Sequence, residues 1–198
     1  MKKIIITIGL CYSSIFAQDS VKAFLIAEKI VWMAEDLNVD TFRNGDKIHL
    51  VKSDSAWIWA NVLGLSAYRY INDDSTLGKL YNWAAVNDVR GLASKKWRVP
   101  TMQDFKELRD TLGGPYLAGK NFKSLLNFKL DGSVRTEGYF TGYEQEGTYW
   151  TANTDPNIKE FAIQCYLLGY TDNLLLFGVD KNQGNKVRLI EDKTYQEK

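Results

Sequence analysis

The chain is poor in the residues that carry most metal and nucleophile chemistry. It has one histidine and two cysteines in 198 residues. Most zinc sites need clustered Cys and His, so most of that class is excluded at the outset. Three prolines exclude a collagen or a Pro-rich spacer. No charge sign dominates: 25 Lys and Arg stand against 24 Asp and Glu. That balance excludes the strong basic footprint of a nucleic-acid-binding surface. No apolar run after the first residues approaches membrane length, and there is no internal repeat. What is plentiful is aromatic: 6 Trp, 11 Tyr and 9 Phe, in a chain of otherwise ordinary globular composition.

The first residues have the pattern of a secretory signal. Lys2 and Lys3 form a charged start, Ile4 to Leu10 an apolar run, and Ser13, Ser14 and Ala17 the small residues before a cleavage point. Residues 1–17 are expected to be removed, with Gln18 as the new N-terminus and 18–192 as one domain before a polar tail, 193–198. Cys11 follows Leu10 rather than a small residue, so it belongs to the discarded segment and not to a lipid anchor. Export places the protein in the periplasm, on the cell surface or outside the cell. Loss of the two lysines would turn the net charge from +1 to −1. Cys165 would be left as the only cysteine. It sits in an apolar segment, Phe161 to Leu168, that reads as a buried strand, and His49 offers it no triad.

Local patterns suggest an α+β protein. The β-rich stretch from Ala23 to Met33 contains a plausible turn at Glu28-Lys29, and Arg43-Asn44-Gly45-Asp46 carries an Asn-Gly turn. Leu77 to Asn87 reads as a short helix, with Leu80, Trp83, Ala84 and Asn87 at helical spacing. Thr101 to Leu112 is the strongest helix: Thr101 and Asp104 form a capping pair, Met102, Phe105, Leu108 and Leu112 one apolar stripe, and Gly113-Gly114-Pro115 the stop. Strands are expected at Gly147–Thr151, Phe161–Leu168, Leu174–Val179 and Lys186–Ile190. In the last of these, Val187 and Leu189 alternate with Arg188. Short turns between them imply an antiparallel meander.

Several blocks together resemble the Fibrobacter succinogenes major paralogous domain. They are Trp32-Met33-Ala34-Glu35-Asp36-Leu37-Asn38, Arg43 to Asp46, Gly78 to Asp88, Trp97-Arg98-Val99-Pro100-Thr101, Leu112-Gly113-Gly114, Tyr149-Trp150 and Val187-Arg188-Leu189. Order and spacing agree from about Phe24 to Ile190. The resemblance implies an exported module with a C-type-lectin-like fold, two helices packed on a mainly antiparallel sheet that joins the N- and C-terminal strands. The chain departs from the family pattern in a short segment between Gly114 and Tyr149 and in a hairpin before Trp32 without its usual glycine. The cysteines that the family pattern implies as a disulfide are Ala93 and Leu189 here.

The residues offer partial support for three chemistries. Calcium wants six to eight oxygen ligands, and Asp155-Pro156-Asn157 and Thr171-Asp172-Asn173 could contribute some. Both fall where the meander needs turns, which Asp, Asn and Pro serve for their own reasons. Asp73-Asp74, Glu144 and Glu146 could be offered as acid/base pairs for glycoside hydrolysis, although exposed loop acids are the commoner case. The aromatic excess suits recognition, because Trp and Tyr join flat apolar area to a polar tip. Trp32, Trp83, Trp97 and Trp150 belong to the family blocks and are assigned to the core, while Tyr68 and Tyr70 lie with the remaining aromatics in less regular sequence. Trp57, Trp59, Tyr139 and Tyr143 are the expected ligand-binding residues. The reading is a non-enzymatic surface or extracellular module, with no catalytic residue, metal or cofactor. It binds a protein or acts structurally, the alternatives being a carbohydrate-binding module and an extracellular hydrolase. Its partner is an extracellular protein or glycan, with no nucleic acid and no membrane span.

Overall fold

The computed structural model describes residues 6–10, 22–26 and 30–195. Cys11, Ala17, Gln18, the Glu28-Lys29 turn and the end of the polar tail lie outside the described residues. Strands β1 (Ile6–Leu10), β2 (Lys22–Ile26), β3 (Ile30–Met33) and β4 (His49–Leu50) precede helix α1 (Asp54–Val62). Strands β5 (Ala67–Tyr70) and β6 (Lys79–Asn82) lead into a single helical turn, α2 (Trp83–Val86). Strand β7 (Trp97–Arg98) is followed by α3 (Met102–Thr111) and α4 (Ala118–Leu125). The rest is strand: β8 (Asp131–Val134), β9 (Phe140–Tyr143), β10 (Glu146–Thr154), β11 (Phe161–Leu168), β12 (Leu174–Asp180), β13 (Gly184–Asn185) and β14 (Ile190–Glu191).

The fold is a mixed α+β protein, mostly sheet with few helices. One antiparallel sheet runs β1-β2-β3-β14-β7, so the two ends of the domain meet where Ile190 pairs with Trp32. The larger sheet runs β12-β11-β10-β8-β13-β6-β5-β4, with β9 on β8. It is mixed, since β10 meets β8 and β4 meets β5 in parallel.

Helix α3 forms as its sequence dictates. The Thr101 side chain accepts from the Asp104 N–H, and the Asp104 carboxylate accepts from the Thr101 N–H at 2.6 Å. Arg98 adds a two-pronged pair to Asp104 at 2.7 and 2.9 Å. Phe105, Leu108 and Leu112 are buried. Phe105 meets Trp32 edge-on, and Leu108, Leu112, Phe122 of α4 and Phe128 join the same cluster. The Asn-Gly turn is also formed, with the Phe42 N–H bonded to the Asp46 carbonyl.

Three expectations are corrected. Leu77 to Asn87 is not a helix: Lys79–Asn82 is strand, hydrogen-bonded between β5 and β13, and only Trp83–Val86 turns helically. Leu80 and Tyr81, adjacent in sequence, are both fully buried because the strand is covered on both faces, and they feed different core clusters. The last strand is not continuous either. Residues 187–189 leave the ladder, Val187 and Leu189 accepting backbone bonds from Leu37 and Met33. The meander holds for β10, β11 and β12, but the chain then crosses to pair β13 with β6 and β8, and β14 with β3 and β7. Third, there are more helices than two: α1 and α4 were not expected.

Candidate functional site

Helix α1 carries the aromatic residues expected at a ligand surface. Ser53 caps it, its hydroxyl accepting from the Ala56 N–H at 3.2 Å, and Asp54 sits in the first turn, where a carboxylate favours the positive end of the helix. Trp57 and Ala60 face inward. Trp57 is fully buried, donates its indole N–H to the Asn182 carbonyl at 2.7 Å, and packs against Gly184, where a Cβ would stand 2.7 Å from the ring. Asn61 reaches the same carbonyl at 2.8 Å. These contacts clamp the helix to the β12–β13 turn, and they remove Trp57 from any surface.

The outer side of α1 is apolar as well. Trp59 is 63% exposed, Val62 68% and Leu63 64%, with Ile58 and Leu65 also exposed. Residues 58 and 62, 59 and 62, and 59 and 63 are three or four positions apart, so the four form one stripe along the helix. Tyr139 is exposed beside the start of this helix. Its neighbour Gly138 lies so close that a Cβ there would stand 2.3 Å from the Asp54 carbonyl oxygen. Arg69 fixes the arrangement, donating to Asp54 at 2.7 Å, to the Gly138 carbonyl at 2.6 Å and to Asp73 at 2.8 and 2.9 Å. Tyr143 is half-buried at the edge of the Trp57 core cluster, near Phe140. The four aromatics are thus split: Trp59 and Tyr139 are open to solvent, Tyr143 half so, Trp57 not at all. Ile58, Val62, Leu63 and Leu65 escaped the sequence reading because the run from Trp57 to Leu65 has apolar residues on every side of the helix.

The candidate acids have structural work. Asp73 is paired with Arg69, whose guanidinium holds the carboxyl below its usual range. Asp74 accepts from the Thr76 N–H and hydroxyl. Glu146 is buried and accepts from Ser133, Arg135 and Tyr166. Burial, and then the bond to Glu146, push the Tyr166 phenol up to about 12. Asp155 accepts from the backbone of Asn157 and Ile158, forming a turn, and the Asp172 and Thr171 carbonyls receive Gly119 and Lys123 of α4. Cys165 is buried in the first core cluster, and burial pushes its thiol well above the usual range. His49 is exposed on β4, six places along the sheet from β11. Among the described residues there is no group of three or more His, Cys, Asp or Glu placed to hold a metal ion.

A second polar feature lies under the joined chain ends. Arg188, which alternates with Val187 and Leu189 in the sequence, is only 1% exposed. Its Nε donates to Asp36 at 2.6 Å, its other nitrogens reach the carbonyls of Met33, Ala34, Leu126 and Asn127, and its guanidinium stacks 4.3 Å from the Phe128 ring. Lys186, equally buried, is paired with both Asp36 and Asp131. Burial pushes the Asp36 carboxyl up, but Arg188 and Lys186 together outweigh it and hold the group below its usual value. Above this network is a cavity of about 230 Å³ between the segment after β3 and the turn before β6.

Comparison with known proteins places the chain in a sequence family. The model of the family described as Fibrobacter succinogenes major domain matches residues 27–191. No curated protein and no solved structure gives a significant match.

Proposed function

The chain belongs to the Fibrobacter succinogenes major domain family, and from that premise we propose that it is an exported, non-enzymatic module that docks onto another protein through the outer face of α1. The observation that carries this is the exposed stripe of Ile58, Trp59, Val62, Leu63 and Leu65. Together these side chains expose on the order of 400–500 Å² of apolar surface. One side of a standard interface buries about 800 Å², of which roughly 55–65% is non-polar, so the stripe has the size of an interface core. It carries no charge, and the clamp of Trp57 and Asn61 on Asn182 keeps it rigid. The partner is therefore a protein with a complementary apolar groove. The aliphatic residues around Trp59 offer nothing to sugar hydroxyls. Export rests on the Lys2-Lys3 start, the apolar run and Ala17, and intact-mass analysis of the mature protein should find Gln18 at its N-terminus. A C-type-lectin-like fold is supported by the pairing of the two chain ends through β3 and β14.

The test is site-specific photo-crosslinking in the producing cell, with the probe at position 59 and, as control, at the exposed Glu107 of α3. A protein adduct at 59 and none at 107 is the expected result. No adduct above control would overturn the reading. The second reading, a glycan-binding face, is favoured by the exposed rings of Trp59 and Tyr139. It predicts glycan-array binding that Trp59→Ala abolishes.

A further inference from the structure

We propose that the cavity above the buried ionic network is a binding site for a small hydroxylated carboxylate, whose charge is received by Lys79 and Lys129. Both line the cavity, as do Glu35, Asp36, Asn38 and Lys186. Its volume, about 230 Å³, is several times the roughly 30 Å³ share of one liquid water and suits a single sugar ring or a small organic acid.

The charge balance singles out the two lysines. Lys186 and Arg188 are offset within the floor by Asp36 and Asp131. Lys79 has no such partner: among the described residues no carboxylate lies within ion-pair distance of its amine. Lys79 as a residue is 9% exposed, and its amine donates to the Asn38 carbonyl at 3.0 Å and lies 5.0 and 6.0 Å from the ring centres of Tyr68 and Tyr70. Asp40, the other acid of the neighbouring segment, is taken by Lys47 at 3.2 Å. Buried ammonium groups are ordinarily matched by an anion, because desolvating the charge is costly. One N–H of Lys79 is used by a carbonyl, which leaves donors for an incoming group. Lys129 is held by its backbone, its N–H bonded to the Tyr149 hydroxyl at 2.8 Å, while its exposed side chain makes no ion pair among the described residues. A carboxylate received by these two amines would meet two cations, with Asp36 already engaged by Lys186 and Arg188 and Glu35 the one lining acid without an ion pair among the described residues. The Glu35 and Asn38 side chains at the rim make no hydrogen bond among the described residues and can engage hydroxyl groups.

The experiment uses the full domain, with glucuronate, glucose and inorganic sulfate as probes, by isothermal titration and ligand-observed NMR. Glucuronate should bind in the millimolar range and glucose at least tenfold more weakly. Lys129→Ala should weaken glucuronate about fivefold, the worth of one exposed charge pair, and added salt should do the same. Lys79→Met should abolish binding, with circular dichroism confirming its fold. Since the Lys129 amine makes no hydrogen bond or ion pair among the described residues, its variant keeps the test decisive if Lys79→Met fails to fold. Equal binding of glucose and glucuronate would overturn the proposal. So would sulfate binding as tightly as glucuronate, or an unchanged Lys129→Ala. None of these variants touches α1, so the outcome is separate from that of the docking surface.

Discussion

Asp36→Asn removes one charge from a buried set of four and leaves the shape nearly unchanged. In the native protein both oxygens of Asp36 are engaged, one by Arg188 at 2.6 Å and one by Lys186. The variant leaves Arg188 with four backbone carbonyls and the Phe128 ring but no counter-ion. Lys186 keeps Asp131. Breaking one partner from a buried pair costs about 3–5 kcal/mol, against a total stability of about 5–15 kcal/mol for a domain. Arg188 is 1% exposed and Lys186 2%, so both cations stay largely desolvated when the carboxylate is lost and that range applies. Urea unfolding followed by tryptophan fluorescence measures it directly, because Trp32 and Trp150 sit in the adjoining clusters. Asp131→Asn should cost less, since Lys186 then retains Asp36. The sign of the pH dependence follows from the lowered Asp36 value. A carboxyl whose folded pKa lies below its unfolded one stabilises fully above the unfolded value, near 4, and loses that contribution as pH falls through the folded value. Wild type should therefore lose stability below about pH 4, and Asp36→Asn should lose less over the same interval. A cost under about 1 kcal/mol, typical of a surface change, would refute the claim that this network ties the chain ends together.

Three further outcomes are expected. Phe105→Ala should lower stability by about 3–5 kcal/mol, because Trp32, Phe122 and Phe128 all pack on the ring, whereas Thr101→Ala should cost about 1 kcal/mol through the lost cap; both are read from urea midpoints. Cys165, buried with its thiol raised, should resist a thiol reagent in the native protein and react fully in urea, as absorbance would show. Ala93 and Leu189 share one buried cluster; the Ala93→Cys, Leu189→Cys pair should oxidise spontaneously and add about 2–4 kcal/mol, and free thiols persisting in air would place the two beyond bridging distance.

Elements that rest on local chemistry could be read from the sequence alone. Helix α3 has its cap, its stripe and its stop within fifteen residues, so nothing distant was needed to find it. Strand β11 was delimited correctly because both its ends are marked by turn residues. The family, too, was legible, since its blocks are short runs in fixed order. Other features depended on partners far along the chain. Arg188 alternates with Val187 and Leu189 as a solvent-facing residue would, yet it is buried, because Asp36 and four carbonyls from Met33 to Asn127 supply what water would have given. Leu80 and Trp83 have helical spacing, yet Lys79–Asn82 became strand when β13, about a hundred residues later, offered its backbone. The surface of α1 could not be divided by pattern, since its residues are apolar all round. Only the positions of the Asn182 carbonyl and Gly184 decide that Trp57 turns inward and Trp59 outward. Sequence determined the local stops, caps and strand limits. Which charges and rings are hidden was decided by tertiary structure, because burial is a property of contacts between segments that the local pattern does not contain.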